Sequence, residues 1–449
     1  MMTQKFDVVI LGAGSAGFGA SAVLAEAGKS IAFVEDRDFG GTCPNRGCTP
    51  KKVLVAAAHA LHEIEIAGAH GITVGKPKLD WPTLIDREKD MIGFIPGAME
   101  GLAKTRGAVF RGSAKFVSPN SVDVNGDVLE GRYIIIATGS RPRPLSIPGA
   151  EHLITSDEVL SERSLPGSVI FVGGGVIALE FAHVYARAGA EVTILEALPN
   201  LLPRSDRDAV DQIRTETERL GVTIRTGVNI TRVAPANGRL KVGFVHEGEE
   251  QSALADRVVN GTGRVANVDG LDLEAAGIAH DGIRIDVDEH LRSTSNPSVW
   301  VCGDALVGPA QLSPLATYEG RIVGRNIVDG PSIRPDYSAV TSCVYTVPAL
   351  ASVGLTEDEA ASKGLDVEIA VNDMTGWFSG KSYAETTAWS KVLVDKETGR
   401  FVGAHIVGHQ GEDLIHLFAL AMKHDISAAA FKETLFAFPT FSSDAKNLF

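Results

Sequence analysis

Two glycine-rich turns, each set between a short apolar strand and an apolar helix and separated by a constant offset, predict an α/β protein containing two copies of one dinucleotide-binding unit. The first copy opens with Phe6 to Leu11, an apolar run of strand length. It continues through Gly12-Ala-Gly14-Ser15-Ala-Gly17 into an Ala-rich helix reaching Ala27, which Gly28 closes. Ser30 to Val34 is the next strand, with Glu35 at its end. Glycines at these positions let backbone approach a pyrophosphate at the positive end of a helix, and an acidic residue about 20 positions on accepts ribose hydroxyls. The second copy runs from Ser168 to Val172, through Gly173-Gly-Gly175-Val176-Ile177-Ala178, to a helix ended by Gly189 and a strand leading to Glu196. Gly12 to Gly173, Gly28 to Gly189 and Glu35 to Glu196 all span 161 residues. A glycine turn that merely packs a helix on a sheet explains either copy alone, but not three equal offsets.

The acidic positions also discriminate between cofactors. A carboxylate at Glu196 repels a 2′-phosphate, and no basic residue follows until Arg204, so the second site favours NADH over NADPH. Two nicotinamide sites in one chain would accomplish little, which assigns FAD to one of them.

The 449 residues allow two to four domains, and 44% apolar with 22% charged residues is an ordinary globular composition. With 42 basic and 56 acidic side chains the net charge is −14, which argues against nucleic acid or an anionic membrane as a partner. No stretch approaches the ~18 to 20 apolar residues of a membrane helix, and Tyr133 to Ala137 is only strand-length. Met1 to Lys5 runs directly into the first strand, without the pattern of a signal peptide, so the cytoplasm is the expected location.

Four cysteines cannot staple a chain of this length, so each is a separate question. Cys43 and Cys48 lie in Gly40-Gly41-Thr42-Cys43-Pro44-Asn45-Arg46-Gly47-Cys48-Thr49-Pro50-Lys51-Lys52, opening a helical segment that reaches about Ile66. Five residues of regular helix separate two positions by ~7.5 Å along the axis, beyond the ~7 Å reach of a disulfide. The pair closes only if the first turn is distorted, which Pro44 and Gly47 permit. Near a helix N-terminus followed by two lysines, thiol pKa falls and the reactive thiolate is favoured. A zinc site needs two more ligands at suitable spacing, and two inert core thiols are the plain alternative; a redox-active pair is the strongest reading. Cys302 and Cys343 read as small buried hydrophobes.

These motifs, with Ala137-Thr138-Gly139, Gly261-Thr-Gly263-Arg264, Cys302-Gly303-Asp304 and Val353-Gly354-Leu355-Thr356-Glu357, resemble the group I pyridine nucleotide-disulfide oxidoreductases over essentially the whole chain. That family includes dihydrolipoyl dehydrogenase, glutathione reductase and mercuric reductase. The resemblance implies two Rossmann-like dinucleotide-binding domains plus an α+β C-terminal dimerisation domain. FAD binding would use residues 1–147 and 262–332, NAD binding 148–261, and the interface 333–449 of a homodimer that builds its substrate site from both subunits. It implies FAD contacts at Gly12, Gly14, Ser15, Gly17, Glu35, Gly41, Thr42, Ala114, Thr138, Gly139, Asp304 and Ser313. NAD contacts are implied at Gly173, Gly175, Val176, Ile177, Glu196, Val228 and Gly263, and no metal is implied. Cys48 would be the thiol stacked by the flavin and Cys43 the interchange thiol. One of Lys51 or Lys52 would lie near the flavin N5 and pair with Glu180. Electrons would pass from NADH through flavin to the cysteine pair and on to a small-molecule acceptor, or in reverse in a dehydrogenase.

One departure stands out. The family's thiol-disulfide enzymes carry His-Pro-Thr-x-Ser-Glu near the C-terminus, whereas this chain reads Phe438-Pro439-Thr440-Phe441-Ser442-Ser443, so the acid-base dyad is missing. A non-standard disulfide is the leading acceptor. A quinone, a metal ion or dioxygen reduced at the flavin is a second reading, and a dihydrolipoyl dehydrogenase with a substitute acid-base group a third. A redox-sensing or complex-docked flavoprotein is a fourth. His405, His409, His416 and His424 lie in the same domain, and sequence places none of them beside Cys43. Phe436, Phe438 and Phe441 are expected to form either an apolar mouth for a hydrophobic or aromatic acceptor or plain interface packing.

Overall fold

In the computed structural model, which describes residues 3–449, the first apolar run is the strand Thr3–Leu11. It pairs in parallel with Ile31–Glu35 on one side and Asp127–Ile136 on the other. Val8 to Leu11 and Ile134 to Ile136 are fully buried; a strand covered on both faces explains an apolar run without alternation. Asp127–Ile136 shares its far edge between antiparallel Ser121–Val124 and parallel Val299–Val301. That pairing brings the segment preceding Asp304 back to the first sheet, seven-stranded among the described residues. This unit comprises the chain up to Lys51, Arg87–Arg143 and Arg264–Tyr337.

The second compact unit comprises Lys52–Asp86, Pro144–Gly263 and Ser338–Phe449. Its parallel sheet is ordered Thr223–Arg225, Glu191–Leu195, Ser168–Val172, Arg257–Asn260. An antiparallel sheet of Asn229–Ala236, Arg239–His246 and Glu249–Ala255 accompanies it. Downstream, five antiparallel strands from Thr341–Val344 to Phe401–Gly408 carry the helix Gly411–Lys423 on one face, where Phe418 meets Phe401 edge-on at 5.3 Å.

The internal repeat is structural as well as sequential. The amide of Gly12 donates to Val34 O at 2.8 Å and that of Gly173 to Leu195 O at 2.8 Å, and both glycines have φ +106°. A Cβ at Gly12 would fall 2.3 Å from Ala137 O, and one at Gly173 2.4 Å from Gly261 O. Backbone conformation and close approach therefore both demand glycine at these two turns.

Within the second unit, Lys391 on Trp389–Asp395 is buried. Its Nζ lies 3.1 Å from the equally buried Asp206, 2.6 Å from Asp208 and 2.8 Å from Glu357. Removing the cation would leave the Asp206 carboxylate buried without its charge partner. Lys391→Ala is expected to cost about 3–5 kcal/mol, read as a lowered unfolding midpoint in denaturant.

Candidate active site

Glu35 and Glu196 are held alike. Glu35 Oε2 accepts from Ala13 N at 2.8 Å and Oε1 from Arg37 N at 2.9 Å. Glu196 accepts from Gly174 N and, at 2.6 Å, from Leu198 N. Each carboxylate thus straps a strand end to its glycine turn and keeps lone pairs for further donors. Burial lifts the Glu35 carboxyl above the usual range, opposed by these amide bonds. The helices that follow, Ser15–Glu26 and Val176–Ala188, start at Gly14 and Gly175 with no side-chain cap and no acidic residue in the first turn. Their N-terminal amides are available to an anion, as a dinucleotide pyrophosphate requires.

In the first unit, Gly41 stacks on the same turn. With φ +70°, a Cβ there would fall 2.7 Å from Gly14 Cα. Thr138 Oγ1 is buried without a hydrogen-bond partner. Asp304 accepts from Ser140 Oγ at 2.9 Å, and Ser140 in turn accepts from Arg264. Ala114 is a buried strand residue, and Gly139 takes positive φ. A side-chain-free cradle with an orphaned buried hydroxyl fits FAD. In the second unit Val228 is buried, Val176 is exposed at the helix start beside the half-buried Ile177, and Gly263 has φ +99°. Arg225, whose carbonyl accepts from Glu196 N, donates through its guanidinium to Gln251.

The cysteines occupy two helices, not one distorted turn. Thr42–Arg46 is a separate short helix, Gly47 interrupts it, and Cys48–Ile66 follows. A Cβ at Gly47 would meet Thr42 O at 2.9 Å and Cys43 Cα at 3.2 Å, so glycine permits the fold-back. Asn45 Nδ2 pins the loop by donating to Phe39 O and Gly41 O. The two cysteines are not joined in a disulfide here; Cys43 is half-buried and Cys48 exposed. The Cys43 pKa is lowered to about 6, chiefly because the Cys48 side chain hydrogen-bonds its thiolate. The Ser313 hydroxyl, the Cys48 amide and the charge of Lys51 assist against burial. Ser313 also bonds Ser15 at 2.7 Å, which joins the first turns of two helices beside the thiolate. Its role toward Cys43 was not visible in the sequence, since 270 positions separate the two.

The two lysines differ in setting. Lys51 is buried. Lys52 is exposed, 3.4 Å from Glu412 and 4.1 Å above the Tyr345 ring. Glu180 is buried and accepts from Tyr345 N at 2.8 Å. Cys302 is fully buried, and burial with the nearby Glu319 charge pushes its thiol far up; Cys343 is half-buried in a strand. Among the described residues no cluster of His, Cys, Asp or Glu could hold a metal ion, and no helix is long and apolar enough to cross a membrane.

At the C-terminus the three phenylalanines have separate surroundings within the chain. Phe436 packs on Phe431 at 5.6 Å, Phe441 on Tyr383 at 5.2 Å and His409 at 5.1 Å, and Phe438 is 80% exposed. Ser443 is buried and closes a capping box with Thr440. His405 is buried between Ser352 Oγ and Leu355 O, whereas His416 and His424 are exposed.

Two dinucleotide cradles and a pair of thiols beside the first of them define an electron-transfer enzyme that works through sulfur. Models of known families agree: that for the pyridine nucleotide-disulphide oxidoreductases matches residues 6–320, and that for their dimerisation domain residues 340–448. The chain is 30% identical over 448 residues to dihydrolipoyl dehydrogenase of Chlamydia pneumoniae, covering 98% of this chain and 95% of that one. It is 33% identical over 449 residues to glutathione reductase of Burkholderia cepacia, covering 99% and 98%. The Cu(II) complex of the HOCl-induced flavoprotein disulfide reductase RclA from Escherichia coli superposes with TM-score 0.88 at 28% identity, covering 99% of both chains. The chain therefore belongs to the pyridine nucleotide-disulphide oxidoreductase family, oxidoreductases acting on sulfur groups with FAD and NAD(P)H as cofactors.

The thiolate geometry has a direct readout. Alkylation of reduced enzyme by iodoacetamide at Cys43 should rise through about pH 6, well below the ~8.5 of an ordinary thiol. Ser313→Ala removes a donor to the thiolate, so its midpoint should move to higher pH; an unmoved midpoint would show the hydroxyl to be irrelevant.

Proposed function

We propose that this protein is an NADH-preferring flavoprotein disulfide reductase, acting as a homodimer on a non-standard small-molecule disulfide. The observation that carries the reading is the Cys43 thiolate, held by Cys48 and Ser313 in the unit that carries the FAD-type cradle. In this reading residues 1–147 and 262–332 hold FAD, 148–261 hold NAD(H), and 333–449 form the dimer interface. Bound FAD supplies the two-electron exchange between nicotinamide and the cysteine pair. Gly12, Gly14, Gly17 and Gly41 keep side chains clear of the pyrophosphate, Glu35 and Glu196 accept from ribose hydroxyls, and Asp304 and Thr138 complete the flavin contacts. Lys51, the buried lysine, is assigned to the flavin side. Cys43 attacks the acceptor disulfide and Cys48 resolves the mixed disulfide, with rates set by thiolate fraction and leaving-group acidity.

A second reading has a specific observation behind it: the RclA structure is a Cu(II) complex. A metal ion reduced directly from flavin would need no thiol protonation, which suits a chain lacking the His-Glu dyad.

Anaerobic NADH should produce a two-electron-reduced enzyme with a long-wavelength thiolate-to-flavin band, and Cys48→Ser should abolish it; a band that survives refutes the thiol assignment. Cys43→Ser should abolish disulfide reduction while sparing reduction of Cu(II), quinone or dioxygen at the flavin. NADH should give a higher kcat/KM than NADPH because Glu196 repels a 2′-phosphate, and the reverse ranking would remove that argument.

A further inference from the structure

The first unit buries a carboxylate that the proposed electron relay does not use. Glu319, on the helix Ser313–Asp329, is 2% exposed. Its Oε2 accepts from Gly303 N at 2.8 Å and its Oε1 from Tyr337 Oη at 2.9 Å. Gly303 opens the turn Gly303–Ala305 that carries Asp304, and a Cβ there would fall 2.8 Å from the Ala16 Cβ on the helix of the first cradle. The half-buried Asp304 has separate partners: it accepts from Ser140 Oγ, which accepts from Arg264 Nε at 2.9 Å, and Arg264 also donates to Ser140 O at 2.6 Å. All of these residues belong to one compact unit.

Burial raises the Glu319 carboxyl above the usual range, opposed by the Gly303 amide and the Tyr337 hydroxyl, and the Asp304 charge adds to the rise. Keeping a second carboxylate within range of Asp304 is therefore costly. Mere packing of the helix needs no charge, and an apolar or amide side chain would avoid the repulsion. A carboxylate differs in two respects. It only accepts, so the Gly303 amide and the Tyr337 hydroxyl must both point at it, and its charge biases the Asp304 carboxylate toward the Ser140–Arg264 pair. The same helix opens at Ser313, a donor to the Cys43 thiolate, so one element sets both groups.

We propose that Glu319 is a positioning residue of the flavin site: it anchors the Gly303 amide and, by charge, holds the Asp304 carboxylate in one orientation for FAD. Tyr337, the last residue of the unit, keeps Glu319 in place. The inference rests on the assignment of Asp304 to FAD. In this scheme Glu319 acts on the cofactor only through the turn.

The rate of FAD release from full-length holoenzyme, read as recovered flavin fluorescence on dilution, tests this in a double-mutant cycle. Asp304→Ala and Glu319→Ala should each speed release about tenfold, the scale of one hydrogen bond to a charged group. The double variant should match Asp304→Ala within about twofold, because Glu319 acts through Asp304. Glu319→Gln, which keeps an acceptor for Gly303 N without the charge, should fall between wild type and Glu319→Ala. Where Glu319→Ala does not fold, Tyr337→Phe carries the same cycle, with release about threefold faster alone and no further gain on Asp304→Ala. Losses that add in either cycle, as a merely structural role gives, would overturn the proposal. So would wild-type release from Glu319→Ala, or Glu319→Gln matching Glu319→Ala. Wild-type release from Asp304→Ala would remove Asp304 from the flavin site and overturn the proposal with it, a result distinct from additive losses beside an Asp304 that does hold FAD.

Discussion

Each dinucleotide cradle depends on one carboxylate strapped across a glycine turn. Glu35 joins Ala13 and Arg37, and Glu196 joins Gly174 and Leu198, through amide bonds that satisfy a buried charge. An uncompensated carboxylate at that depth would cost several kcal/mol, so the strand end, the turn and the helix start are locked together. The unsatisfied N-terminal amides of the helix are thereby aimed at one spot. In the first unit the Gly41 backbone lies directly on Gly14, which carries the constraint onward to Thr42 and Cys43.

The thiol chemistry follows from that placement. Cys43 and Cys302 are the same residue type in one compact unit, and their surroundings drive them in opposite directions. Cys43 gains donors from Cys48 and Ser313, whereas Cys302 is enclosed beside a carboxylate with nothing to stabilise a thiolate. Hydrogen bonds to the charged form outweigh desolvation in the first case, and desolvation stands unopposed in the second. Gly47 matters because a side chain there would collide with Thr42 and Cys43, and the interruption it allows is what puts the two sulfurs on separate helices.

The two C-terminal positions that depart from the family's motif have structural roles in this chain. Phe438 is exposed, and Ser443 spends its hydroxyl on capping a short helix, so the two positions that carry the family's dyad serve surface and backbone here. His405 and His409 look equivalent in the chain, four residues apart near the end of one strand. Residues four apart along a strand would share a face, so it is the strand's end at Gly408 that separates them: His405 is enclosed in hydrogen bonds, and His409 meets a buried glutamate and two aromatic rings.

The repeated strand, glycine turn, helix and acidic residue were legible in the sequence because backbone geometry itself dictates residue type there: positive φ and a 2.3 to 2.4 Å clearance admit only glycine. The break between the two cysteines was legible for a related reason, since Pro44 and Gly47 within the five-residue interval permit a departure from regular helix. The cofactor class and the absence of the expected dyad were likewise readable from residues alone. Other features depended on partners far apart in the chain: Ser313 beside Cys43, the burial of Lys51 against the exposure of Lys52, the separation of the three phenylalanines, and Glu385 beneath His409. Local sequence encodes backbone conformation through φ, ψ and sterics, whereas a side chain's pKa and reach are set by burial and by neighbours that only the folded chain brings together.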